Sequence, residues 1–414
     1  MHITAIITEY NPFHNGHLYQ IEQIKKKYPD GKIITVMSGN FAQRGIPCIA
    51  DKYTRAEMAL ASGIDMVIEL PVVYATASAE RFAQAAISIL HKSGIVDTLC
   101  FGSETPYLEE MQALAELLLE EPTALSSLIK NYLTQGESYP RARHLALMDY
   151  IGDTSKTIPL SPEVVSVLLN QPNNILGIEY IKALKMYQSS IKPFPIRRKT
   201  SHYHDTEVNH TIASATAIRH QVILKNFNKV THAMPASAFK LLEPSIQNPV
   251  ILDDYSSIFH YKIIMSELED LYAIWDVPKN LIHSLYHAAH HFTKLSAIID
   301  EVTSKTYSRA TVQRAIIHLL LDIQNCDMQS FQMIDWIPYI RILACKKSSR
   351  SLLTSLNASS KVPIILGVNK ALTNLDPLSK KLLSYELKAS KLYGLLSKTP
   401  SLTHKDFTYH PFKP

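Results

Sequence analysis

Short apolar runs alternate with amphipathic stretches through the first hundred residues. Ile3–Ile7, Lys32–Met37, Met66–Glu69 and Thr98–Phe101 are largely continuous apolar runs, the pattern of strands buried on both faces. Between them lie stretches with helical spacing, near His17–Lys27, Thr54–Ser62 and Ala79–Lys92, the first marked by Ile21 and Ile24 on one face. This βαβα rhythm predicts an α/β fold, a Rossmann-like parallel sheet covered by helices on both faces. Ligands of such sheets bind beyond the carboxyl ends of the strands, which places a site on the loops Thr8–His14, Ser38–Pro47, Pro71–Ser78 and Gly102–Thr105. From Tyr107 to Gln188 the pattern is mostly helical, Lys192–Arg198 is a candidate further strand, and Ser214–Ile223 opens another helix. Beyond Phe227 only helical periodicity is evident. The expected organisation is an α/β domain over 1–228 followed by a mainly α-helical region over 229–414.

Composition narrows the class. A chain of 414 residues exceeds one compact core. At 46% apolar and 19% charged it is ordinary globular material, and no apolar run approaches the ~20 residues that span a bilayer. The N-terminus lacks a charged segment followed by an apolar stretch and cleavage site, so no secretory leader and no membrane partner are expected. Cys48, Cys100, Cys326 and Cys345 are far apart and form no C-x-x-C, which fits a reducing cytoplasm and gives no zinc site. Charge is unevenly spread. Residues 341–414 hold 13 Lys/Arg against 3 Asp/Glu, leaving 29 against 34 in the remainder. A basic tail region on a mildly acidic body points to a polyanion, here nucleic acid.

The strongest candidate chemistry lies just after the first strand, where His14-Asn15-Gly16-His17 fits H-x-G-H. The first N–H groups of a helix have no internal partner and carry the positive end of its dipole, so they attract phosphate. Gly16 is expected to let a phosphate approach the backbone. His14 and His17 are expected to donate hydrogen bonds to charge building on an α-phosphate. Ser38–Gly45 supplies Asn40, Gln43 and Arg44 as candidate substrate contacts. Asp51 is the expected N-cap of the next helix, with Lys52 and Arg55 facing either phosphate or solvent. Gly102 could let a base or ribose lie on the backbone, and Asn173 is either a nucleotide contact or an N-cap. In Ser214-Ala215-Thr216-Ala217-Ile218-Arg219 a capped helix start precedes an arginine placed to neutralise pyrophosphate. Arg197-Arg198-Lys199 and His202-Tyr203-His204-Asp205 form a polar patch that could join the site. His283, His287, His290 and His291 have helical metal-ligand spacing, but no carboxylate or cysteine completes the set and no metal-ligating residues are expected.

These motifs carry a family resemblance. H-x-G-H followed downstream by S-A-T-A-I-R resembles the HxGH nucleotidyltransferase superfamily. The runs TEYNPFHNGH, MSGNFAQRG, SGIDMVIELP, FGSE, PNNILGIEYIKAL and SATAIR, in that order, look like the bacterial tRNA(Met) cytidine acetate ligases. The motifs cover about residues 1–225, and the likeness is looser beyond. The resemblance implies an AMP-forming carbon–nitrogen ligase that makes acetyl-adenylate from acetate and ATP, then acetylates N4 of the wobble cytidine of elongator tRNA(Met). It implies ATP along Ile7, Thr8, Glu9, Tyr10, Asn11, Pro12, Phe13, His14, Asn15, Gly16 and His17, with Gly102, Asn173 and Arg198 as further contacts. Catalysis would fall to His14, His17, Ser214 and Arg219, with Mg²⁺ on the ATP phosphates and mostly water-ligated. Thr303–Tyr307 departs from the basic stretch expected there, which concerns only tRNA contacts. The competing expectation is an adenylyltransferase that makes a small nucleotide cofactor from ATP.

Overall fold

In a computed structural model of the protein, which describes residues 1–154, 160–199, 212–397 and 399–413, an eight-stranded mixed sheet runs through the molecule. Its strands are β1 (Ile3–Thr8), β2 (Lys32–Ser38), β3 (Met66–Leu70), β4 (Thr98–Ser103), β5 (Lys192–Arg197), β6 (Ile340–Lys346), β7 (Ile364–Ile365) and β8 (Phe412–Lys413). The order is β8-β6-β3-β2-β1-β4-β5, with β7 also paired to β6. β1 is parallel to β2 in the register Ile3↔Lys32 through Thr8↔Met37, and parallel to β4 with Ile6 opposite Cys100. β2–β3 and β4–β5 are also parallel. The sheet ends at β5 beside β4 alone, where Pro193 and Pro195 remove no inner ladder bond.

Side-chain alternation along the strands divides the core between the two faces of the sheet. Ile3, Ala5, Ile34, Val36, Met66 and Ile68 join one cluster, whereas Ile6, Ile33, Met37 and Val67 join the other. Helices α1 (Asn15–Lys27), α2 (Lys52–Ala61) and α5 (Ala215–Ile223) bury residues in the second cluster. Helices α3 (Ala79–Ser93), α4 (Pro172–Met186), α6 (Arg309–Leu321) and α7 (Pro377–Leu396) bury theirs in the first. Local signals fix the helix ends. Asp51 Oδ1 accepts the Tyr53 and Thr54 N–H groups at 3.0 and 3.3 Å, so Asp51 is the N-cap of α2 as expected. Ser78 caps α3, and Gly94 ends it in the left-handed region at φ 68°.

The region after Phe227 is not helical throughout. β6 (IRILACK) is buried over its first six residues and pairs antiparallel with β3. A short run buried on both faces shows no alternation, so its periodicity does not separate strand from helix. Lys52 and Arg55, expected to face phosphate or solvent, do neither: both are fully buried. Lys52 Nζ lies 2.7 Å from Glu69, 3.1 Å from Glu386 and 3.0 Å from Asp406. Arg341 of β6 joins the cluster through Glu69 at 2.8 Å and through Asp406. The cluster therefore ties α2 and β3 to β6, α7 and the C-terminal segment.

Candidate active site

β1 is flanked by β2 on one side and β4 on the other, so the strand order reverses there and a crevice opens beyond the carboxyl ends. A cleft of about 430 Å³ occupies this point. It is lined by Ile7–Asn11, His14, Gly16 and His17 from β1 and the start of α1, by Gln43 and Arg44, by Gly102, and by Asn173 of α4. Arg197, Arg198, Lys199, Ser214, Thr216 and Arg219 complete its polar wall.

The two histidines are fixed by the helix they introduce. His14 is the N-cap of α1, an uncommon residue there. Its Nδ1 accepts the Gly16 N–H at 3.0 Å, and the His14 N–H is donated to His17 Nδ1 at 3.2 Å. The rings stack with centroids 3.7 Å apart. Each Nδ1 accepts a hydrogen bond, so each neutral ring carries its proton on Nε2. Burial is the main force keeping both neutral. With the Arg198 and Arg219 charges added, it pushes His14 down to about 3, and burial with the His14 and Arg198 charges holds His17 well below its ordinary value. Gly16 lines the cleft and is also constrained by the capping ring. A Cβ there would lie 2.8 Å from His14 Cε1, so glycine is needed to let the capping imidazole fold over the backbone.

The loops around the histidines are pinned from below. The Arg55 guanidinium donates to the carbonyls of Glu9 at 2.5 Å, Ser38 at 3.2 Å, Ala50 at 3.0 Å and Gly39. Glu9 Oε1 accepts the Gln43 N–H at 2.7 Å, and Gln43 Nε2 donates to Ala77 O at 2.8 Å. At the opposite wall Ser214 Oγ caps α5 by accepting the Ala217 N–H at 3.0 Å. Arg219, one turn in, donates to the Asn11 carbonyl at 2.8 Å and to Thr216 Oγ1 at 3.0 Å. Asn11 Oδ1 accepts the Ile49 N–H at 2.8 Å, while its buried Nδ2 has no hydrogen-bond partner among the described residues. Asn173 is the second residue of α4 and not its N-cap, which is Gln171. It donates to Glu104 Oε1 at 2.5 Å and accepts from Arg198 Nη1 at 3.3 Å. A Cβ on Gly102 would press on the Arg198 side chain at 3.2 Å.

Several expected contacts fall elsewhere. Asn40 is buried outside the cleft, where Oδ1 accepts the Lys52 N–H at 2.8 Å and Nδ2 reaches Ser390 Oγ at 3.4 Å. Its amide stabilises the loop and the start of α2. Pro12, Phe13 and Asn15 do not line the cleft; Phe13 is core, and Asn15 binds the His232 carbonyl at 3.0 Å. Segment His202–Asp205 lies outside the described residues. Of the four helical histidines, His283 hydrogen-bonds Tyr272 Oη at 2.8 Å and His290 the Tyr286 carbonyl at 2.8 Å. The sequence reading missed Ala79 and Phe82, the first turn of α3, which also line the cleft. The loop Pro71–Ser78 at a strand's carboxyl end was the signal that pointed there.

Among the described residues the lining holds five cations, Arg44, Arg197, Arg198, Lys199 and Arg219, against the single carboxylate of Glu9. Such a wall suits a polyphosphate. A family model described as HIGH Nucleotidyl Transferase matches residues 1–407. A protein of Thermoanaerobacter sp. (strain X514) named tRNA(Met) cytidine acetate ligase is 39% identical over 414 residues, 99% of both chains. One of the same name from Alkaliphilus metalliredigens is 37% identical over 96% of this chain and 95% of its own. The chain belongs to the tRNA(Met) cytidine acetate ligase family. The fold agrees: apo TmcAL of Thermotoga maritima superposes with a TM-score of 0.93 at 29% identity, covering 100% of this chain and 99% of that one. The crystal structure of that protein bound with alpha-thio ATP gives 0.91 over the same shares. For a member of this ligase family the donor set here suits ATP: two Nε2–H groups, an orphaned amide and two helix N-termini. Among the described residues no three of His, Cys, Asp and Glu are grouped to hold a metal ion. Glu9, the one carboxylate among the described residues of the lining, already serves the Gln43 N–H.

Proposed function

We propose that this chain activates acetate with ATP and transfers the acetyl group to N4 of the wobble cytidine of elongator tRNA(Met), in two steps within one cleft. Acetate is ionised at neutral pH and needs no base. Its oxygen attacks the α-phosphorus, the bond to the β-phosphate bridging oxygen breaks, and pyrophosphate leaves. The neutral imidazoles of His14 and His17 donate through Nε2–H to the charge growing on the α-phosphate, and Arg219 with the N-terminus of α5 receives the leaving pyrophosphate. In the second step the cytidine amine adds to the acetyl carbonyl, loses a proton and expels AMP. Gln43 and Arg44 are the proposed substrate contacts.

The supporting observation is the stacked, neutral imidazole pair, His14 buried and His17 half-buried, at a helix N-terminus and at the switch point of the sheet. Mg²⁺ would arrive on the triphosphate and be ligated by phosphate and water. The basic region within 229–414 is the proposed tRNA-binding part, and work on tRNA places the protein in the cytoplasm. None of the described helices is long and apolar enough to cross a membrane. The test is one reaction with ATP, Mg²⁺, labelled acetate and elongator tRNA(Met) transcript, followed by mass analysis of the digested nucleosides. N4-acetylcytidine that disappears with His17→Ala supports the assignment. Pyrophosphate release that requires a phosphate ester instead of acetate would refute it.

A further inference from the structure

Helix α3 borders two openings. Ala79 and Phe82 line the nucleotide cleft, whereas Arg81, Gln84, His91 and Lys92 line a second crevice of about 550 Å³. Arg81 to Lys92 spans roughly 16 Å of helix, so the crevice leads away from the cleft over a length of two to three nucleotides. Its wall is completed by Tyr187, Asp335, Trp336 and Lys361 among others.

The turn that carries Trp336 has a rare conformation. Asp335 and Trp336 are both left-handed, with φ of 54° and 69°. A bulky residue there needs its surroundings to impose the conformation. Five hydrogen bonds do so. Lys92 Nζ donates to the carbonyls of Ile334, Asp335 and Ile337 at 2.9, 3.1 and 2.9 Å. Ser88 Oγ donates to Asp335 O at 2.8 Å and Tyr74 Oη to Trp336 O at 2.6 Å. The result sets the indole against the half-buried Arg81 guanidinium, 4.8 Å from the ring centroid. A second stack lies alongside, His91 on Tyr187 with centroids 5.8 Å apart, and the exposed Lys361 Nζ is 3.4 Å from His91 Nε2. Among the described residues none of Arg81, Lys92 and Lys361 has a carboxylate within ion-pair distance, although Lys182 and Lys185 nearby on α4 do.

Planar stacks beside Arg81 and Lys361, two cations with no carboxylate within ion-pair distance among the described residues, are features that hold single-stranded RNA. We propose that this crevice binds the nucleotides flanking the reacting cytidine, with one base stacked on the outer face of the Arg81 guanidinium and a backbone phosphate at Lys361. The inference rests on the tRNA-acetylating reading and adds where the RNA strand runs once its reacting base is in the cleft.

The test uses full-length protein and elongator tRNA(Met) transcript. Arg81→Ala and Lys361→Gln should leave acetate-dependent ATP–pyrophosphate exchange unchanged. Together they should raise the KM for tRNA about 10-fold and lower the salt slope of binding by about 0.7 for each phosphate no longer neutralised. Arg81→Lys should not rescue, since an ammonium offers no plane for stacking. In a Trp275→Phe background, which leaves Trp336 as the only tryptophan, an anticodon stem-loop RNA should quench the remaining emission. Should Arg81→Ala disturb folding, seen as lost exchange, the exposed Lys361→Gln decides alone. A wild-type protein that acetylates tRNA, beside a double variant with unchanged KM and salt slope, overturns the crevice and leaves the ligase reading intact. A wild-type protein that neither binds nor acetylates tRNA overturns both.

Discussion

At His14 and His17 the ring nitrogens are divided between structure and chemistry: Nδ1 of each is spent on the first turn of α1, and Nε2 remains for the ligand. Burial holds both rings neutral, His14 down to about 3, so acetate-dependent ATP–pyrophosphate exchange should show no limb near pH 6.5 from either ring. ¹⁵N NMR of the imidazoles should show Nε2–H tautomers at pH 6; a ring titrating near 6.5 would contradict the assignment. The same depression bears on stability. Between about pH 3 and 6.5 the unfolded chain binds a proton at His14 that the native state refuses, so His14 costs no stability above 6.5 and destabilises progressively as pH falls toward 3. Gly16→Ala offers a second test. Its methyl would strike the capping imidazole, so it should cost about 1 kcal/mol in the urea midpoint and about 100-fold in exchange rate. An alanine variant with full activity would show that the ring can move without loss. H-x-G-H was legible as a phosphate motif, but the reason for its glycine was not, because only coordinates show the imidazole lying over the backbone.

Helices α2 and α7 and strands β3 and β6 meet at a buried cluster of three carboxylates and two cations, Glu69, Glu386 and Asp406 with Lys52 and Arg341. Burial first, and then the Glu69 charge, pushes Glu386 up to about 8, so at neutral pH it holds a proton and the cluster balances. Between its ordinary 4.5 and about 8 the native state keeps a proton that the unfolded chain has lost. Its contribution is therefore complete below 4.5 and fades as pH rises to 8. Glu386→Gln, which mimics the protonated acid, should remove this part of the fall in urea midpoint from pH 5 to pH 8; an equal fall in both proteins would place the proton elsewhere. Lys52→Met should be far harsher, about 3–5 kcal/mol by the same measurement, since it leaves the buried Glu69 and Asp406 with Arg341 as their one remaining cation. The elements that form this cluster were unevenly visible in the sequence. β1 to β4 and α1 to α3 stood out through turn signals and alternating element types. β6 did not, since a seven-residue run buried on both faces and carrying an arginine looks like one more helical stretch. Lys52 and Arg55 were misjudged for a related reason: sequence gives a charged residue no sign of partners as distant as Ser38, 17 positions from Arg55, or Glu386, 334 from Lys52.

On the scale of the whole molecule, the basic segment 341–414 also completes the sheet that holds the cleft. It supplies β6 against β3, β7 and β8 against β6, and Arg341, Glu386 and Asp406 to the buried cluster. The charge count revealed that this segment is basic, but not that part of its charge is interior. The two contributions are separable by experiment. Lys370, Lys388 and Lys391 are exposed, and replacing all three by glutamine leaves the sheet and the cluster intact. That variant should bind tRNA more weakly, with a salt slope shallower by up to about 0.7–0.9 for each phosphate these lysines neutralise, and should make acetyl-adenylate at the wild-type rate. Truncation after Tyr339 should behave otherwise. It leaves β3 as an open edge and Lys52 with Glu69 but neither Glu386 nor Asp406, so folding and ATP–pyrophosphate exchange should fail together. If the truncated chain folded and exchanged pyrophosphate, β6 would be an accessory to a self-sufficient N-terminal unit. If the triple glutamine variant lost exchange, those lysines would be supporting the cleft and not only the RNA.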